Sequence, residues 1–175
     1  MEIVVPPDYR HLWVTDSDHP VLKVPDPALR QVAKLVRKVL PRHRVLVDNM
    51  VKVMKQADGI GLAATQLGIM ERIIVVCPDT RPLSLFNPEV IEASGSEEGE
   101  EGCLSLPGLY GTVERATEVT VKGLDRKGNS VTIDAEGIAA RVLQHEIDHL
   151  DGILFIDKAD PASLYWSEPT SRESG

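Results

Sequence analysis

The stretch that most constrains this chain is Gly137–Leu150, GIAARVLQHEIDHL. Ala139, Val142, Leu143, Ile147 and Leu150 fall on more than one side of a helix, so the segment reads as a helix buried nearly all round and closed at Gly152. The same segment carries His145, Glu146, Asp148 and His149. Residues four apart share a helix face, so His145 and His149 project together, with Glu146 roughly 100° round from His145. Two neighbouring imidazoles among apolar side chains are desolvated and need a shared partner, which a divalent metal provides. HEIDH has the H-E-x-x-H spacing: two nitrogen ligands beside a carboxylate that can take a proton from water.

The remaining sequence supplies one domain around this helix. A chain of 175 residues, 42% hydrophobic and 26% charged, can bury a sizeable core. Its aromatic content of 4% makes that core mostly aliphatic. The net charge of −8 argues against a protein that works by gripping phosphate backbones, so no nucleic-acid specificity is expected. No signal peptide or membrane-length apolar run is visible, and a cytoplasmic or organelle-interior protein is expected. Cys77 and Cys103 are then expected as free thiols rather than a disulfide.

Along the chain, residues 1–20 read as an irregular arm, 21–165 as the main folded domain and 166–175 as a polar, disordered tail. Asp26 and Pro27 open a helical pattern through Leu29, Val32, Ala33, Val36 and Leu40, which Pro41 ends or kinks. A second periodic set runs from Leu46 to Ala57 and is followed by the loop GIGLAATQLG. RIIVVC reads as a buried strand and LSLFNPEVIEAS as an extended stretch broken at Pro88. SGSEEGEEG reads as a solvated acidic loop, while TEVTVKGLD and SVTIDAEG form a hairpin turning at Asp125–Asn129. Helices and strands that do not alternate regularly predict an α+β fold, with antiparallel or mixed sheets around the central helix.

A hydrolytic metal site has three protein ligands and an open position, so the third ligand decides the subtype. An H-E-x-x-H-x-x-G-x-x-H pattern is satisfied at Gly152, but Phe155 stands at the final position and cannot ligate. A downstream glutamate, Glu168, has a peptidase-like spacing but sits in a polar segment beside Pro169. Upstream, Cys103 lies in the glycine- and proline-bounded segment EEGCLSLPG, where it reads either as a thiolate ligand or as a small buried hydrophobe. A closed, non-catalytic metal module would need a fourth ligand, and Cys77, beside Pro78, reads as core instead.

Three segments together resolve the choice. GIGLAATQ at Gly59–Gln66, EGCLS at Glu101–Ser105 and QHEIDHLDG at Gln144–Gly152 resemble, in order, the three signature motifs of peptide deformylases. VPDPALR and LFIDKADP extend the resemblance from about Val21 to Pro161. It implies hydrolytic removal of the formyl group from N-terminal formylmethionine of nascent polypeptides. By the same resemblance Cys103, His145 and His149 hold the metal, Fe²⁺ in the cell with Zn²⁺ or Ni²⁺ able to replace it. Glu146 moves the proton, and Gln66 with the Leu104 backbone N–H receives the formyl oxygen. Gly61 and Gly102 present backbone to an extended peptide, and Ile60, Ile138 and Val142, with His145, line a methionine pocket. Arg141 is expected at the rim or in an ion pair, and Asp148 in a pair with Arg115. Many members carry a long C-terminal helix where this chain has a polar segment, a departure that bears on transient ribosome docking.

Overall fold

The computed structural model describes residues 1–169. Five antiparallel strands form the larger sheet in the order β1 (Gly61–Ala63), β2 (Ile73–Val76), β3 (Leu83–Ser94), β6 (Glu118–Leu124) and β7 (Ser130–Glu136). A smaller antiparallel sheet comprises β4 (Glu97–Glu101), β5 (Leu109–Arg115) and β8 (Tyr165–Trp166). Two α-helices, α1 (Pro41–Gln56) and α2 (Gly137–Leu150), lie on opposite faces of the larger sheet. Strand alternation explains the division: Leu62, Ile73 and Val75 pack with Met50 and Met54 of α1, while Ala63, Ile74 and Val76 pack with Leu143, Ile147 and Leu150 of α2. This is the expected α+β class, with α2 central.

Several local expectations hold. RIIVVC contains β2, buried along its whole length. The hairpin turns where expected, with Gly128 at φ 84° and Asp125 accepting from the amides of Lys127 and Asn129. Both cysteines are free thiols.

Three expectations are corrected. The pattern from Asp26 yields only a 3₁₀ turn at Pro27–Arg30, capped by the Asp26 carboxylate on the Ala28 amide at 2.9 Å. The chain then runs on without helix to Pro41, which starts α1 at its first position rather than ending an earlier helix. Partners distant in sequence decide this. Ala33 donates to the Leu150 carbonyl at 2.8 Å, and the Asn87 side chain takes both the N–H and the C=O of Val36 at 2.8 Å. Asn87 reaches that backbone from an irregularity in β3 with φ 52°.

The acidic run is not a free loop, because Glu97–Glu101 is strand β4, paired along its length with β5. GIGLAATQLG is likewise not a plain loop: it holds β1 and a 3₁₀ turn at Ala64–Leu67. In the N-terminal arm, Pro7–Leu12 forms a 3₁₀ turn, and the rings of Tyr9 and Trp13 pack against Trp166. The part of the expected tail at residues 170–175 lies outside the described residues.

Gly152 has a structural role in place of the ligand pattern it resembles. It follows α2 at φ 72°, its N–H bonding to His149 O and that of Ile153 to Asp148 O, the paired bonds of a Schellman cap. A Cβ there would stand 2.6 Å from the Arg30 carbonyl oxygen. Gly152→Ala is expected to cost about 2–4 kcal/mol from left-handed backbone and contact with main chain. Urea unfolding would show this as a lowered midpoint, and an unchanged midpoint would refute it.

Candidate active site

α2 delivers His145 and His149 one turn apart, with ring centroids 5.0 Å apart. The turn after β4 brings Cys103 to them, its Sγ 3.3 Å from His149 Nε2. Cys103, His145 and His149 each offer a ligand atom, all within 4.8 Å of one another, and all three residues are buried. Gln66 arrives from the 3₁₀ turn after β1. Its Oε1 accepts from the Ala63 amide at 2.9 Å, which turns its Nε2 toward Ser105 Oγ at 3.1 Å and Cys103 Sγ at 3.6 Å. Leu104 follows the thiol directly and is 8% exposed.

The electrostatics favour a positive charge beside His145 and a neutral imidazole at His149. His145 Nδ1 lies 2.8 Å from Glu101 Oε1, which leaves Nε2 to face a metal. Burial opposes protonation of His145, but the Cys103 sulfur and the Glu101 carboxylate raise its pKa well above the usual histidine range. Burial holds His149 well below that range, as the neutral imidazole that binds metals. Glu146 is fully buried, and burial pushes its carboxyl up to about 7, near the value a proton shuttle needs. Among the described residues, no hydrogen-bond partner reaches His145 Nε2, His149 Nδ1 or either oxygen of Glu146. Such orphaned buried donors and acceptors around a thiol fit a bound divalent ion.

The other expected residues fall into place unequally. Gly61 passes directly over Glu146, where a Cβ would lie 2.5 Å from Oε1, and a Cβ on Gly102 would lie 2.7 Å from the Tyr110 ring. Both glycines therefore make room for named side chains. Val142 is buried on the α2 face with Ile60 against it, whereas Ile138, in the first turn of α2, is 60% exposed. Phe155 is core, stacked on the His145 ring, and Glu168 is exposed beyond β8.

Sequence reasoning undervalued Glu101. It bonds Arg115 at 2.9 Å through both oxygens, as well as Arg141 at 2.8 Å and His145. Burial alone would raise its pKa, yet Arg115 and His145 hold it well below the carboxylate range. Its place two residues before Cys103 in EGCLS was the available signal. The expected Asp148–Arg115 pair forms at 2.5 Å.

The comparisons follow this geometry. Residues 18–164 match the family model for polypeptide deformylase. The chain belongs to the peptide deformylase family. It is 56% identical over 142 residues to a peptide deformylase of Halothermothrix orenii, covering 79% of this chain and 91% of that one. It is 50% identical over 140 residues to one of Carboxydothermus hydrogenoformans, covering 80% and 92%. Its fold superposes on the crystal structure of the Thermotoga maritima peptide deformylase with a TM-score of 0.80 at 40% identity, covering 82% of this chain and 98% of that one. A Synechococcus elongatus deformylase solved with actinonin gives a TM-score of 0.79 at 40% identity, covering 85% and 83%. Membership makes the chain a metal-dependent hydrolase, and it favours neither a general peptidase nor a non-catalytic module.

Removing a thiolate from a three-ligand site costs much of its affinity. Cys103→Ala is expected to weaken binding of one divalent ion per chain by about 100-fold or more, measured by competition with a chromogenic chelator. Unchanged affinity would place the ion elsewhere.

Proposed function

We propose that this deformylase removes the formyl group from the N-terminal formylmethionine of newly made polypeptides, releasing formate, with Cys103, His145 and His149 as metal ligands. The observation that carries the residue assignment is Glu146, whose carboxylate is buried, has no partner among the described residues and lies beside that three-ligand cluster. A divalent ion held there would supply Lewis acidity, polarising the formyl carbonyl and acidifying water. Glu146 takes the proton of the attacking water and returns it to the departing amine as the C–N bond breaks.

As negative charge builds on the formyl oxygen, the Gln66 amide and the Leu104 N–H donate to it. Each preorganised donor of this kind contributes roughly 3–4 kcal/mol. Gln66 suits the task because its oxygen is held by Ala63, leaving its NH₂ aimed toward the thiol.

An extended peptide adds along β1, an edge strand of the larger sheet, with Gly61 and Gly102 beside its backbone. Its methionine side chain lies against Ile60, Val142 and Ile138. Residues 21–165 act as the catalytic unit and 1–20 as an added arm, and the family match over 18–164 supports this division. The ion in the cell is Fe²⁺, with Zn²⁺ or Ni²⁺ able to substitute, as a thiolate and two imidazoles suit all three. The enzyme works in a bacterial-type cytoplasm or an organelle interior and meets the ribosome transiently, which co-sedimentation with translating ribosomes would test. No helix among the described residues is long and apolar enough to cross a membrane.

Two measurements test this reading. Glu146→Ala is expected to keep its metal while formate release from a formyl-Met peptide falls about 10²–10⁴-fold. Near-normal turnover would remove Glu146 from the proton role. Anaerobic purification should yield iron, with activity lost in air and restored by Ni²⁺, whereas stoichiometric zinc under the same conditions would refute the iron assignment.

A further inference from the structure

A cavity of about 250 Å³ opens beside the thiol ligand, with Cys103 and Leu104 in its wall. Val53 and Ala57, at the end of α1, form another side. Leu12 and Pro20 of the N-terminal arm close it further. Leu12 lies outside residues 18–164, so this part of the wall is an addition to the family domain. The arm is fixed in place: Trp13 Nε1 donates to the Pro107 carbonyl at 2.9 Å, and Tyr9 and Trp13 pack on Trp166. The volume falls below the roughly 300–1,000 Å³ of pockets for whole small ligands, and suits a single side chain.

Topology says which side chain. β1 leads inward through Ala63 to Gln66, and outward through Gly59 to Ala57. A peptide with its formyl group at Gln66 therefore leaves along β1 toward Ala57. Gly61 faces α2, since a Cβ there would meet Glu146, and its neighbour Leu62 packs on the α1 face. Side chains of an added strand alternate in the same way. A methionine on the α2 face, against Val142, puts the next residue on the α1 face, where Val53 lines the cavity.

We propose that this arm-walled cavity takes the side chain of the residue after formylmethionine and selects an apolar one. The inference rests on the deformylase reading, and the experiment separates the two. Formate release would be compared for formyl-Met-Leu-Ala, formyl-Met-Gly-Ala and formyl-Met-Asp-Ala, and for formyl-Met-Ala-Leu against formyl-Met-Ala-Gly. Leucine in the second position should raise kcat/KM at least tenfold over glycine or aspartate, chiefly through KM, while the third position changes it less than threefold.

Ala57→Trp, an exposed position whose larger ring fills the cavity, and Leu12→Asp should each bring the second-position ratio below three. Thermal melting would check that both variants fold. Equal rates for leucine and glycine in the wild type, a preference at the third position instead, or folded variants that keep the wild-type ratio would overturn the proposal while leaving the deformylase reading intact. Absence of formate from every peptide would overturn the deformylase reading itself.

Discussion

The structure depends on one buried carboxylate. Glu101, at the end of β4, meets Arg115 from β5 and both Arg141 and His145 from α2. A charge taken out of water is tolerated only when its partners are complete, and here two guanidiniums and an imidazole complete it. The network continues from Arg115 to Asp148, which also receives Lys158 at 2.8 Å. It therefore ties the smaller sheet to α2 at the point where both deliver residues that could hold a metal, Cys103 from one and the histidines from the other. Arg141 strengthens the tie by bonding the carbonyls of Glu97 and Val113. Gly99 lies under that guanidinium, where a Cβ would come within 2.8 Å of Cζ.

The larger sheet supplies the complementary half of the site. Its alternating side chains separate an α1 face from an α2 face, and its edge strand β1 carries Gly61 over Glu146 and leads to Gln66. Glu146 thus has a backbone above it rather than a side chain, and its two buried oxygens have no hydrogen-bond partner among the described residues.

Legibility in the sequence followed the range of the interactions. The hairpin at Asp125–Asn129 and the helix at 137–150 were readable because turn chemistry and helical period act between near neighbours. The segment after Asp26 was misread because Leu29, Ala33 and Val36 are buried at helical spacing without forming an α-helix. The backbone of Ala33, Lys34 and Val36 is held by Leu150, Met70 and Asn87 respectively, none of which lies nearby in sequence. The acidic run was misread for a related reason, since a strand of glutamates is held by partners distant in sequence, the β5 ladder beside it and the arginines that meet Glu101.

By itself, the sequence determined that one helix would bury two histidines and a glutamate at a spacing that suits a shared ion. It also carried the three motifs that mark the family. Only the tertiary structure decided that Cys103 stands within ligand distance of those histidines, that Glu101 rather than a distant acid orients His145, and that the N-terminal arm walls a cavity beside the thiol. Those outcomes depend on contacts between residues forty or more positions apart, and such contacts exist only once strands, helices and arm have packed together.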